Sequence, residues 1–234
     1  MPGFSIEPSP LGRIVVAPHL PPGHRLFYTT IDYRGAIDAA LEQFAGKPIA
    51  HCNQVHGATV INGGQALMPV PAGHEEGQAR VPVLHGNREC DALWTDQPIA
   101  LAIKVADCLP VSLIGNGKIA NIHCGWRGAV QGIVDVTLDA IGAVTDAWLG
   151  PTIRVCCFEV GEEVAQQFPA EFVNRAHAKP HVDIPAFVRS RLRERGVACV
   201  HDSELCTRCD GSIFHSYRRD GRTGGRNLAI LTMD

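Results

Sequence analysis

The chain is short of charge and of aromatic residues, and neither sign of charge dominates. Charged residues make up 19% and aromatics 6% of 234 positions, and the formal net charge is −3. That balance offers no electrostatic footprint for nucleic acid or for an anionic membrane. Long apolar runs are also missing. The most apolar stretch, residues 98–114, is interrupted by Lys104 and Asp107, so no segment reads as a membrane span. The start, Met1-Pro-Gly-Phe-Ser-Ile-Glu7, has neither a basic region nor an apolar core of the signal-peptide kind, and a cytoplasmic location is expected. No His-x-His pair occurs among the eleven histidines, which argues against a multicopper cluster. There is no internal repeat and no low-complexity tract.

Cysteine, by contrast, is plentiful. Nine is a high and odd number, and no disulfide framework is expected in a reducing compartment. Free Cys is commonly a small buried core residue, so position has to decide which of the nine do chemistry. Hydrophobic residues form 45% of the chain, enough for a sizeable core in one α/β domain with mixed sheets.

Arg13–Ala17, Arg25–Ile31 and residues 48–54 read as strands, and residues 34–45 as a short helix. Residues 62–90 are rich in Gly and Pro with little periodicity, and are expected to form a flexible insertion. A helical pattern follows Gly128 through Ile141. Residues 148–157 read as a strand, 160–168 and 183–195 as helices, and 211–219 and 226–232 as the last two strands.

The most informative local feature is a hairpin. Asn116-Gly117 favours a two-residue type I′ turn, because both positions need positive φ. Counting outward pairs Gly115 with Lys118 and Pro110 with His123, which leaves Cys108 one diagonal step from His123 on the same face. With His56, these residues form a candidate three-ligand metal site with an open position, the arrangement of a catalytic zinc. Each taken singly has a structural reading, as a turn histidine or a core thiol. Asp107, beside Cys108, is a candidate acid/base group or a support for the loop.

A helix start near Gly128 and Arg127 offers donors for phosphate or carboxylate. Arg218, Arg219, Arg222 and Arg226 form a second basic cluster, from which Arg218 and Arg226 are candidate anion ligands. Cys206-x-x-Cys209 lacks a second pair at zinc-ribbon spacing, and adjacent Cys156-Cys157 is too close to serve as one. Cys206 is therefore expected to be structural or pocket-lining. Glu159, Glu162 and Glu163 suit a helix start and need no catalytic role.

Several stretches occur together in one order. They are Asn53-Gln-Val-His-Gly57, Asp91-Ala-Leu-Trp-Thr-Asp96, Ala106-Asp-Cys-Leu-Pro110, His123-Cys-Gly-Trp-Arg-Gly128 and Leu149-Gly-Pro151. Glu159-Val-Gly161, Cys206-Thr207 and Ser216-Tyr-Arg-Arg-Asp-Gly221 complete the set. As a set they resemble the YfiH-like family, also called the laccase-domain or polyphenol oxidase family. The resemblance runs from about residue 48 to the C-terminus. It implies one domain over residues 1–234 with a four-layer α/β/β/α sandwich, and zinc held at His56, Cys108 and His123, with copper as an alternative occupant. It further implies phosphorolysis of adenosine, inosine and methylthioadenosine, with adenosine deamination as a second activity, so that a purine nucleoside and phosphate are the expected partners. Asp107, Cys108 and His123 are then the candidate catalytic residues, and Arg127, Arg218 and Arg226 the candidate phosphate contacts. This chain departs from the family pattern in having Cys124 after the second histidine and Phe27-Tyr-Thr-Thr-Ile-Asp-Tyr33 in place of an Arg-Gly-Gly-Val-Ser-like stretch.

Two other functions fit the residues. A metal-free cysteine hydrolase would use Cys108 as nucleophile and His123 as base and need no second histidine. A non-enzymatic zinc protein would close the site with a fourth ligand, Cys124.

Overall fold

Alternating apolar side chains build the strands, because successive residues of a strand face opposite sides of a sheet. The computed structural model describes residues 3–33, 37–63 and 88–234. The chain begins with β1 (Ser5–Ser9), β2 (Gly12–Val16) and β3 (His24–Thr29), followed by α1 (Ala39–Ala45), β4 (Ile49–Ala50) and β5 (Val60–Asn62). Next come β6 (Ala92–Thr95), β7 (Ala100–Val105), β8 (Leu109–Gly115) and β9 (Lys118–Cys124), then α2 (Trp126–Val130), α3 (Ile133–Ile141) and β10 (Asp146–Leu149). The last third holds α4 (Glu162–Ala165), β11 (Val173–Asn174), β12 (His181–Val182), α5 (Ile184–Glu194), β13 (Cys199–Asp202), α6 (Tyr217–Asp220) and β14 (Asn227–Met233).

Two six-stranded mixed sheets result, ordered β1-β2-β3-β14-β7-β4 and β13-β10-β8-β9-β6-β5. Leu26, Tyr28, Ala229 and Leu231 of the first sheet pack with Ile114, Ile119 and Trp148 of the second. The alternate residues Phe27, Leu228 and Ile230 face α1 through Leu41 and Ala45. On the second sheet, Val111, Leu113, Ala120, Ile122 and Cys124 pack with Ile133 and Leu138 of α3 and Val188 and Leu192 of α5. The mixed α/β expectation is met.

Element boundaries differ from the sequence reading in instructive places. The apolar run 98–114 is two strands in two sheets, with the chain crossing between them at residues 106–108. Asp107 makes that crossing at φ 85°. The helical pattern after Gly128 is two helices broken at Gly132, which has φ 77°, and the first of them starts at Trp126. Residues 211–219 form turns and the start of α6 instead of a strand, since the hydrogen bonds of Ile213 and Phe214 close locally on the Asp210 carbonyl. The strand expected at 148–157 ends at Leu149, and only Ile49–Ala50 of residues 48–54 is a strand. The helix expected at 34–45 begins at Ala39, where Asp38 caps it by accepting from the Leu41 N–H. Most of the expected 62–90 insertion lies outside the described residues.

The hairpin register is as counted: Gly115 pairs with Lys118 and Pro110 with His123. Asn116 and Gly117 have φ of 51° and 65°, as a type I′ turn requires.

Candidate metal centre

Three elements bring His56, Cys108 and His123 together. His123 comes from β9, and Cys108 sits one residue before β8 at the crossing between sheets. His56 stands in the loop between β4 and β5, itself at φ 61°. One ligand atom from each lies within 4.8 Å of the others. The two imidazoles meet edge to face, with centroids 4.7 Å apart.

Asp91, immediately before β6, orders both histidines. Its Oδ1 accepts from His123 Nδ1–H at 2.8 Å and from the His56 backbone N–H at 2.9 Å. Oδ2 accepts from the Gly57 N–H at 2.7 Å. Asp91 is fully buried and His123 nearly so. Because Nδ1 of His123 is committed to Asp91, Nε2 is left to face the site. The His56 loop is clamped a second time: Gln54 donates to the Lys104 carbonyl at 2.7 Å and accepts from the Lys104 N–H at 2.8 Å.

Electrostatics follow from that packing. Burial pushes the Cys108 thiol up, but hydrogen bonds from His123 and His56 and their charge bring it down to about 7. Burial lowers His123, and its bonds to Asp91 and Cys108 more than offset this, raising it to about 9. Burial raises Asp91, yet its bond from His123 and those from the backbone of Gly57 and His56 hold it below the usual carboxylate value. Without a metal, these opposite shifts favour a thiolate on Cys108 beside a protonated His123 as pH rises past neutrality.

These residues line a cavity of about 590 Å³, within the range of small-molecule sites. Arg127, Arg218 and Arg226 line it too, as does Lys104. Arg127 stacks on Trp126 at 4.7 Å and Arg218 lies 5.7 Å from the Phe158 ring centroid. Arg219 does not line the cavity; it pairs with Asp220 and donates to the Phe214 and Thr207 carbonyls. Arg222 also lies outside the lining. The helix start expected near Gly128 lies at Trp126, with no side-chain cap at Gly125, and both Trp126 and Arg127 line the cavity.

Asp107 is a hub. Its Oδ1 accepts from the Thr207 hydroxyl and its Oδ2 from the Arg218 N–H, both at 2.6 Å. Its carbonyl accepts from Ile153 N–H at 3.0 Å and from the Thr152 hydroxyl at 2.7 Å. Four such bonds hold a non-glycine residue at positive φ, which otherwise costs about 1–3 kcal/mol.

Cys124 does not join the site. It follows His123 in β9 and so faces the opposite side of the sheet, fully buried against α3, where burial pushes its thiol up. Sequence reasoning did not assign a role to Asp91, Lys104, Trp126, Phe158 or Tyr217. Asp91, Trp126 and Tyr217 stood inside the motif stretches, but nothing local says that a carboxylate before one strand serves a histidine on another.

A mixed α/β domain with an open His–Cys–His group beside a cation-lined cavity is the class these features define. Residues 33–234 match the model of a family described as multi-copper polyphenol oxidoreductase laccase, and the chain belongs to that family. It is 36% identical over 186 residues to the Pseudomonas aeruginosa protein named purine nucleoside phosphorylase PA4543, covering 74% of this chain and 69% of that one. It is 37% identical over 157 residues to adenosine deaminase RL5 from an unknown prokaryotic organism, covering 59% of this chain and 60% of that protein. Several relatives are thus matched over less than two thirds of their length. The crystal structure of Neisseria meningitidis protein NMB0706, of the DUF152 family, superposes with a TM-score of 0.78 at 26% identity, covering 100% of both chains. Among the described residues no helix is long and apolar enough to cross a membrane.

Proposed function

We propose that the chain is a zinc-dependent purine nucleoside phosphorylase, acting on adenosine, inosine and methylthioadenosine, with adenosine deamination as a second activity. The observation that carries this reading is the convergence of two imidazoles and a thiol in a cavity that Arg127, Arg218 and Arg226 also line. Relatives named for phosphorolysis and for deamination support it.

His56, Cys108 and His123 would hold the zinc, and a mixed nitrogen and sulfur donor set with an open side suits a catalytic site. Among the described residues no methionine lines the cavity, so the commonest axial ligand of a blue-copper site is missing from its lining. When bound, the metal supplies a Lewis acid next to the substrate. Phosphorolysis breaks the bond between the purine nitrogen and C1′ and forms one from a phosphate oxygen to C1′, and the departing purine takes a proton. Arg127, Arg218 and Arg226 would hold the phosphate by charge-assisted bonds. Trp126, Phe158 and Tyr217 offer flat apolar faces to the base. Both carboxylate oxygens of Asp107 are already engaged, so we assign it to positioning the wall that carries Arg218.

The test is elemental analysis of purified protein, paired with chromatography of adenosine and inosine incubated with and without phosphate. Zinc with phosphate-dependent release of base is expected. Inosine formed from adenosine regardless of phosphate would make deamination the main reaction. Absence of purine turnover would overturn the reading. Replacing His56 with Ala should abolish metal at this site and activity together.

One observation favours a second reading. Cys108, His123 and Asp91 are connected as nucleophile, base and orienting carboxylate, with the thiol near 7. An amide hydrolase of this kind would keep its activity in the His56→Ala variant without metal.

A further inference from the structure

The four cysteines that the sequence reading left apart converge. Cys156 and Cys157 lie on the turn Arg154–Phe158, closed by N–H groups of Cys157 and Phe158 on the Arg154 carbonyl. Cys206 and Cys209 lie on the turn that Asp210 closes by donating to the Cys206 carbonyl. Parallel pairing of Thr152 with Cys206 sets the turns side by side. Sulfur separations are 3.7 Å for Cys156–Cys206, 3.7 Å for Cys156–Cys209 and 3.4 Å for Cys157–Cys209. All four sulfurs lie within 4.8 Å of one another. Spacing rules look for two Cys-x-x-Cys knuckles, and here an adjacent pair supplies what the second knuckle would.

We propose that Cys156, Cys157, Cys206 and Cys209 form a second, structural zinc site with a closed tetrathiolate shell. A tetrahedron with metal–sulfur bonds of ~2.3 Å has edges of about 3.8 Å. The observed separations are close to that, and they enclose one ion with no room for a polynuclear cluster. Backbone N–H groups of Arg154, Arg208 and Cys209 point at the Cys206 sulfur, and the Arg208 guanidinium lies against Cys157. Such donors offset the negative charge of four thiolates around a divalent ion. Soft sulfur ligands in a tetrahedral set select zinc over harder cations.

The site has a structural purpose. Two loops with little regular structure of their own stand behind the wall of the cavity that Ile153, Phe158 and Arg218 line. Thr207, next to Cys206, donates to Asp107, while Phe158, next to Cys157, lies beneath Arg218. A metal joining the turns would fix both contacts.

The proposal does not depend on the function assigned to the His56 group, and one experiment separates them. Protein produced with added zinc and purified under reductant is analysed for zinc per chain, as wild type and as His56→Ala, Cys209→Ser and the combined variant. Two, one, one and no zinc are expected. One zinc in the wild type that survives His56→Ala and is lost in Cys209→Ser would support this site and overturn the other. Zinc unchanged by Cys209→Ser would overturn the proposal. Should that variant not fold, cobalt titration of His56→Ala protein decides the matter alone. Strong sulfur-to-cobalt charge transfer with tetrahedral visible bands supports four thiolates, and their absence overturns them. Alkylation and mass mapping complete the test: Cys156 and Cys209, both exposed, should resist iodoacetamide until zinc is chelated. Free alkylation of zinc-loaded protein, or disulfides among the four in freshly reduced protein, would also overturn it.

Discussion

Asp91 governs the geometry of both histidines, and its removal should show in metal affinity before it shows in fold. An Asp91→Asn side chain can still face His123, but its amide cannot accept from both the His56 and Gly57 N–H groups. Loss of such a supporting carboxylate typically weakens metal binding by about 10–100-fold. A zinc titration of the variant against wild type should read a decrease in that range, and unchanged affinity would remove Asp91 from the support of the site. The same pair fixes a pH dependence in zinc-free protein. Asp91 is held low, so its contribution to stability is present above the ordinary carboxylate value of about 3.9 and lost as acid reaches its lowered one. His123 is raised to about 9, so its contribution is complete below about 6.5 and lost as pH rises through about 9. Cys108, lowered to about 7 from an ordinary thiol value of about 8.5, gains its contribution over the same window, so the two nearly cancel and the melting temperature of the zinc-free protein should be almost flat there. Cys108→Ser, which removes the opposing thiol and keeps the Asp91 bond to His123, should unmask a fall towards pH 9.

Between elements, the closest constraint on the site is where α2 meets the His56 loop. A Cβ added at Gly128 would lie 2.8 Å from the Gly57 carbonyl oxygen, a backbone atom with no side chain to swing aside. Gly128→Ala should therefore push the loop carrying His56 away from Cys108 and His123. Overpacking of this kind costs about 1–3 kcal/mol. We expect a folded protein with a modestly lower melting temperature and a disproportionate loss of zinc at the His56 site, read by titration of the Cys209→Ser background. Element-scale interactions also explain what could be read in advance. The Asn116-Gly117 turn and the register of Pro110 with His123 were legible because a hairpin is local and its turn chemistry sits in two residues. The crossing at Asp107 was not legible as a change of sheet, because β7 pairs with β14 and β4, and β8 with β9 and β10. No property of Ala106 or Cys108 reports those distant partners. The four-cysteine cluster was hidden for the same reason: each pair looks ordinary until the pairing of Thr152 with Cys206 joins them. Residues 211–219 misled because Ile213 and Phe214 look like strand residues, although their N–H groups close a turn.

At the scale of the molecule, the site depends on two sheets keeping a fixed relation, since His123 belongs to one and the Gln54–Lys104 clamp reaches the other. Apolar packing between them is broad but not directional. Asn121 supplies direction. It stands in β9 two residues before His123, on the same face, and is fully buried. Its Nδ2 donates across the interface to the carbonyls of Leu101 in β7, at 3.0 Å, and Ala229 in β14, at 2.9 Å. Its Oδ1 accepts from the Ser112 hydroxyl at 3.0 Å. Asn121→Leu keeps the branched shape but adds methyl bulk and leaves two carbonyls and a hydroxyl without that partner, and each unsatisfied buried group costs about 1–3 kcal/mol. Ser112→Ala removes only one donor and leaves one amide oxygen unpaired, so it should cost markedly less. Urea unfolding should place Asn121→Leu roughly 3 kcal/mol or more below wild type. Ser112→Ala should fall between them with similar dependence on denaturant. If the two variants were equally mild, the apolar layer alone would set how the sheets sit. A large loss confined to Asn121→Leu would assign the alignment of the sheets, and with it the approach of His123 to Cys108, to one buried amide.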